Sequence, residues 1–167
     1  REVMLTGEAF FEVKSSLEQP FRVVTGSIIN EVKGTTFNVK YRKEFLEVVV
    51  TEGSVMMKNH TGSLILNKGE YGSFTEKNGF NNRKRADIAH FLAWKNNKLS
   101  FKSTPLADAM DQVELYFNIN VTFTNDNIKN KKITGFFDAE SLDEVLESIE
   151  LAMDVSFVKK GRNIFVY

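Results

Sequence analysis

The sequence predicts an all-β N-terminal domain, solenoid- or sandwich-like, followed by a small α+β domain built from two βαβ repeats. Three observations carry this reading. Nine short stretches of alternating apolar and polar residues crowd the first 76 positions, separated by Gly, Asn or charged turns; short strands at such close spacing belong to all-β architectures. From Asn97 onward, strand-like and helix-like periods alternate instead. The second part also repeats itself at a shift of 36 residues.

Residues 1–76 supply the strands EVML, EAFFEVK, FRVV, SIINEV, TTFNVKY, FLEVVVT, SVMMK, SLIL and YGSFTE. Gly34 precedes TTFNV and Gly53 separates EVVV from SVMM, where glycine admits the positive φ of a tight hairpin or bulge. Gly34, Gly53 and Gly72 recur every 19 residues, the spacing that successive rungs of a coiled β-stack would give.

Residues 77–96 read as a linker with a short helix. KNGFNNRKR is polar and basic, and ADIAHFLAWKN places Ile88, Phe91, Leu92 and Trp94 on an apolar face. Trp94 is expected as a packing anchor between the two domains.

Residues 97–167 form the second domain. Thr104 is suited to an N-cap and Pro105 to the first helical position; Leu106, Met110, Val113 and Phe117 then follow helical spacing. NINVTFT is a strand, NDNIKNK a loop and KITGFFD a strand. Ser141 and Glu144 make a capping box ahead of the stripe Leu142, Val145, Leu146, Ile149 and Met153. DVSFVKK and NIFVY close the chain as a hairpin turning at Lys160-Gly161. The 36-residue shift superposes Leu106 on Leu142, Met110 on Leu146, Val113 on Ile149, Glu114 on Glu150 and Phe101 on Phe137. Each copy alone has too little core to stand, so the two are expected to share one sheet.

Composition narrows the function. The 167 residues carry 22 basic and 22 acidic side chains, and this balance speaks against a nucleic-acid binder. The absence of Cys removes disulfides, thiolate metal sites and a Cys nucleophile. No apolar run approaches a membrane span. The chain opens directly in strand with no initiator Met or signal peptide, so it is expected to be a fragment whose targeting information lies upstream.

Candidate chemistry is sparse. His60 and His90 are isolated from each other and from metal spacing, and no zincin, nucleophile-elbow or phosphate-loop pattern occurs. Glu8 and Glu12 share a strand face, but a solvated face explains them better than a carboxylate pair. Asp108, Asp111, Glu144 and Glu147 suit the outer, N-terminal parts of helices. The expected protein is no enzyme, with no catalytic residue, no cofactor and no metal.

The β-corners carry a family resemblance. Phe21, Val23 and Thr25; Val32, Gly34, Thr35, Phe37 and Val39; Val48, Val50, Glu52, Gly53 and Val55; and Leu66, Gly69 and Glu70 fall in the order seen in the periplasmic domain of FecR-type anti-sigma regulators, the iron-dicitrate sensor family. Trp94, Leu99, Phe101, Pro105 and Leu106 resemble the junction in such proteins, and the tail resembles the secretin and TonB short N-terminal domain. The resemblance implies a periplasmic, signal-receiving module. It would dock the periplasmic signalling domain of an outer-membrane TonB-dependent transducer in cell-surface signalling for iron or nutrient uptake. It further implies, in the full-length protein, one membrane helix and a cytoplasmic segment that holds a sigma factor. This fragment is expected to contact no membrane and no nucleic acid. A glycan- or small-ligand-binding β-domain is the alternative, favoured by a cavity lined with aromatics and convergent polar groups.

A small sheet covered by helices leaves strand edges that another chain can extend. KITGFF and NIFVY are the candidate edges, giving Lys132, Thr134, Gly135, Phe136, Asn163, Ile164 and Val166 as partner-binding residues. The opposing reading makes both strands central and their side chains core.

Overall fold

The computed structural model describes the backbone of residues 1–167 and every side chain except those of Arg83 and Lys84. The chain divides into two compact units, Arg1–Ile88 and Ala89–Tyr167.

The first unit is all β: β1 (Glu2–Met4), β2 (Gly7–Val13), β3 (Phe21–Thr25), β4 (Ile28–Val32), β5 (Thr35–Arg42), β6 (Phe45–Glu52), β7 (Ser54–Lys58), β8 (Ser63–Asn67), β9 (Glu70–Thr75) and β10 (Gly79–Lys84). They form two five-stranded sheets, ordered β1-β3-β4-β7-β8 and β10-β9-β6-β5-β2. Period-two alternation turns Phe37 and Val39 of β5 and Leu46, Val48 and Val50 of β6 inward, against Val23, Val55, Met57 and Leu66 of the other sheet. These side chains are essentially solvent-free and make one continuous cluster, so the two sheets share a single core. Asn30 is buried within it, its Nδ2 donating to the Val23 carbonyl at 3.0 Å and to Thr25 Oγ1 at 3.1 Å.

The glycine corners approach closely. Gly53 has φ +80°, and a Cβ there would stand 2.6 Å from the Gly34 carbonyl oxygen. Thr35 Oγ1 donates to the Ser54 carbonyl at 2.7 Å and ties the same two corners.

Gly79–Lys84, read from sequence as linker, is instead strand β10, paired with β9 from Gly79↔Thr75 to Lys84↔Glu70. Its polar character is that of a sheet edge: Asn81 and Asn82 are exposed, while Phe80 packs on Phe74 with ring centroids 4.8 Å apart.

The second unit contains most of a short helix α1 (Ile88–Phe91), a 3-10 turn Ala93–Asn96, then β11 (Lys98–Pro105), α2 (Leu106–Phe117), β12 (Asn120–Phe123), β13 (Lys132–Asp138), α3 (Leu142–Met153), β14 (Phe157–Lys160) and β15 (Asn163–Val166). The two long helices are the halves of the sequence repeat, each of 12 residues and each ending on a left-handed residue, Asn118 at φ 52° and Asp154 at φ 49°. Glu114 accepts from the Val121 amide and Glu150 from the Phe157 amide, so each copy staples its helix to the strand that follows.

The copies do not share one sheet. Their first strands pair with each other as β11-β13, antiparallel, and their second strands flank β15 in the order β12-β15-β14. The two strands around each helix therefore lie in different sheets. β15 has no strand counterpart in the first copy, where a 3-10 turn, Asp126–Ile128, stands instead. Leu106, Met110 and Val113 from α2 and Val145, Leu146 and Ile149 from α3 fill one core with Phe101, Phe137 and Ile164.

The two helix starts differ. Ser141 caps α3, its Oγ accepting from the Glu144 amide at 3.2 Å. Thr104 does not cap α2: its Oγ1 takes the Lys102 amide, and the free amides of Leu106 and Ala107 go to the carbonyls of Lys131 and Lys129. A returning loop thus supplies what a capping side chain otherwise would.

Candidate functional site

The candidate residues fall on two strands with different fates. β15 is the central strand of its sheet, parallel to β12 and antiparallel to β14, so Asn163, Ile164 and Val166 lie on no free edge. Ile164 and Val166 are fully buried. The reading of NIFVY as an edge is corrected: the Lys160-Gly161 turn pairs it with β14, and the amide of Asn120 bonded to the Arg162 carbonyl starts its pairing with β12.

β13 is different. Its sheet has two strands, and among the described residues only β11 pairs with it. The Ala139 amide donates to the Asn97 carbonyl and the Lys131 carbonyl accepts from Leu106, each at 2.8 Å, so residues 131 and 139 aim their backbone groups toward the β11 side. Backbone direction alternates along a strand, so Lys132, Thr134, Phe136 and Asp138 aim theirs outward. Their side chains share one exposed face, with Phe136 56% exposed, while Ile133 and Phe137 turn into the core. Gly135 between them has φ +153°.

The other outer edges of the second unit carry protecting features. β11 has a bulge between Phe101 and Thr104, a left-handed Ser103 at φ 51° and a terminal proline, Pro105. β12 and β14 are four residues long, and β14 ends in Lys159-Lys160. β13 runs seven residues with neither bulge nor proline. Edges left so bare are the ones other chains extend. The charge beside it is paired: Lys98 Nζ meets Asp138 Oδ1 at 2.5 Å.

Among the described residues no group of three His, Cys, Asp or Glu side chains converges as metal ligands would. His60 is exposed in a turn, and His90 Nδ1 lies 2.7 Å from Ser100 Oγ with its ring edge-on to Phe91. Trp94 is half-buried in the 3-10 turn that packs on β11. Glu8 is engaged by Asn38 Nδ2 at 2.8 Å and Lys40 at 3.4 Å, while Glu12 is solvated. In the first unit a cleft of about 210 Å³ is lined by Thr25, Ser27, Ile28, Tyr41, Glu44, Phe74 and Glu76. Ligand sites usually offer roughly 300–1,000 Å³, and here Ser27 and Glu76 bond each other at 2.6 Å. The cleft gives the ligand-binding alternative little support.

The carboxyls of Glu31 and Glu47 are displaced from their ordinary acidity. Arg22 and Lys58, bonded to Glu31 Oε2 at 2.8 and 3.1 Å, hold the Glu31 carboxyl below the usual range. Burial pushes the Glu47 carboxyl up, against the opposing hydrogen bond from Tyr71 at 2.9 Å.

Each of the two units is similar to known proteins. Residues 1–56 match the FecR protein family and residues 98–166 the FecR C-terminal family. No curated protein matches the chain. Two crystal structures of a candidate anti-sigma factor from Parabacteroides distasonis ATCC 8503, at 1.65 and 2.50 Å, are similar to it. Each is 28% identical with a TM-score of 0.86, covering 100% of this chain and 80% or 79% of the other.

Proposed function

Since the chain belongs to the FecR family of regulators, which are not enzymes, we propose that it is the periplasmic, signal-receiving part of a transmembrane anti-sigma regulator. Its partner is the signalling domain of an outer-membrane TonB-dependent transducer, and the second unit, related to the secretin and TonB short N-terminal fold, receives it. The partner adds a strand to β13: main-chain hydrogen bonds supply affinity, and Phe136 and Thr134 supply selectivity. The observation that carries this reading is the bare outer edge of β13, the least protected edge of its unit. No helix among the described residues is long and apolar enough to cross a membrane; the anchor and the sigma-factor-binding segment belong to the rest of the regulator. The test is capture from an outer-membrane extract of the source organism, with this chain as bait. Enrichment of a TonB-dependent transducer by wild type, and its loss with Phe136→Pro, supports the proposal. Equal capture by both forms, or no transducer at all, overturns it.

A further inference from the structure

The geometry points to self-association: a second copy of this chain pairs along β13, antiparallel, about a two-fold axis at Gly135. This rests on the docking edge proposed above and adds a competitor for it. The segment Lys132–Asp138, KITGFFD, is complementary to its own reverse. With Gly135 opposite Gly135, Lys132 faces Asp138, Thr134 faces Phe136 and Ile133 faces Phe137. The parity is right: the charged and exposed residues stay on one face, and Ile133 and Phe137 stay on the core face.

The strand already shows which neighbours it accepts. On its paired side β11 sets Lys98 opposite Asp138 and Ser100 opposite Phe136. The self-register sets a lysine, Lys132, opposite Asp138 and a small hydroxyl residue, Thr134, opposite Phe136. The free edge would thus repeat the residue pairs of the occupied one. A slip of two residues sets Lys132 opposite either Phe136 or Glu140, and Glu140 lies beyond the end of the strand; within Lys132–Asp138 only the register about Gly135 sets opposite charges face to face, twice per dimer. The product is a four-stranded sheet in which neither β13 edge remains open. A transducer domain must then displace the second copy, and self-pairing would hold the receiver closed until it arrives.

The test reads the register. Sedimentation velocity over rising concentration should show a monomer–dimer equilibrium for wild type. Lys132→Asp puts like charges opposite one another and should weaken the dimer at least about tenfold. The double variant Lys132→Asp/Asp138→Lys should restore it, with circular dichroism confirming the fold of each. The chain has no cysteine, so Thr134→Cys mixed with Phe136→Cys should give a disulfide-linked dimer under mild oxidation, because directly opposite residues lie within disulfide reach. Thr134→Cys alone should not. A chain that stays monomeric at submillimolar concentration, a dimer indifferent to Lys132→Asp, or no disulfide in the mixture overturns self-pairing. A monomeric chain that still captures the transducer through Phe136 overturns it while leaving the docking proposal standing. A charge-swappable dimer that never captures a transducer does the reverse.

Discussion

Gly53 rests on the carbonyl oxygen of Gly34: a Cβ at Gly53 would lie 2.6 Å from it, in a backbone already at φ +80°. Gly53→Ala therefore meets two costs, left-handed strain and a clash with backbone that cannot swing aside. The expected loss is about 2–3 kcal/mol in urea unfolding of the first unit. Gly69, at φ +82° with nothing within 4 Å, is the control; Gly69→Ala should cost only ~1 kcal/mol. Equal losses would mean the corners do not bear on each other.

The helix staples give a second pair of outcomes. Glu150 accepts from the Phe157 amide at 2.6 Å, as Glu114 does from Val121. Glu150→Ala leaves a half-buried amide without its acceptor and should cost about 1–2 kcal/mol, whereas Glu150→Gln keeps an acceptor and should cost less. Thermal unfolding of the three proteins checks the ranking, and an alanine variant as stable as wild type refutes the staple.

Stability should respond to pH with opposite signs at two glutamates. The Glu31 carboxyl is held below 4.5 in the folded chain by Arg22 and Lys58. Its contribution is present above 4.5 and is lost as pH falls through the lowered folded value. The Glu47 carboxyl is raised above 4.5 by burial. Its charge costs stability above the raised value, and that cost is relieved as pH falls from there toward 4.5. At neutral pH, Glu31→Gln should thus destabilise and Glu47→Gln should stabilise, with both differences shrinking in acid. Urea midpoints across pH test this, and a shared sign at neutral pH contradicts it.

What the sequence revealed follows from how local each signal is. The capping Ser141 and the stripe Val145, Leu146 and Ile149 lie within one helix, and α3 spans Leu142–Met153 as that pattern requires. The 36-residue repeat reaches even the staples, because Glu114 and Glu150 act within their own copies. Pairing is non-local, and there the sequence misleads. Nothing in NIFVY itself says that β12, more than 40 residues upstream, lies on its second side. Thr104 looked like a cap because the competing acceptors, Lys129 and Lys131, arrive from a distant loop. Asn81 and Asn82 read as linker because an edge strand facing solvent needs no apolar alternation. At the candidate site, Lys132, Thr134, Gly135 and Phe136 were legible as one strand, but the open outer edge follows from pairing with β11 alone among the described residues.

The central claim is that β13 receives a partner strand along its outer edge, and binding of the transducer signalling domain to an edge-blocked variant tests it most directly. Proline at 136 removes an outward amide and leaves the β11 ladder, which uses the alternate residues, intact. Titration calorimetry of wild type and Phe136→Pro against the captured transducer's purified signalling domain, with circular dichroism as the folding control, gives the measurement. The account predicts at least about a tenfold loss of affinity for the folded variant, the equivalent of roughly one good hydrogen bond and its neighbouring contacts. A folded Phe136→Pro chain that binds as tightly as wild type would contradict it.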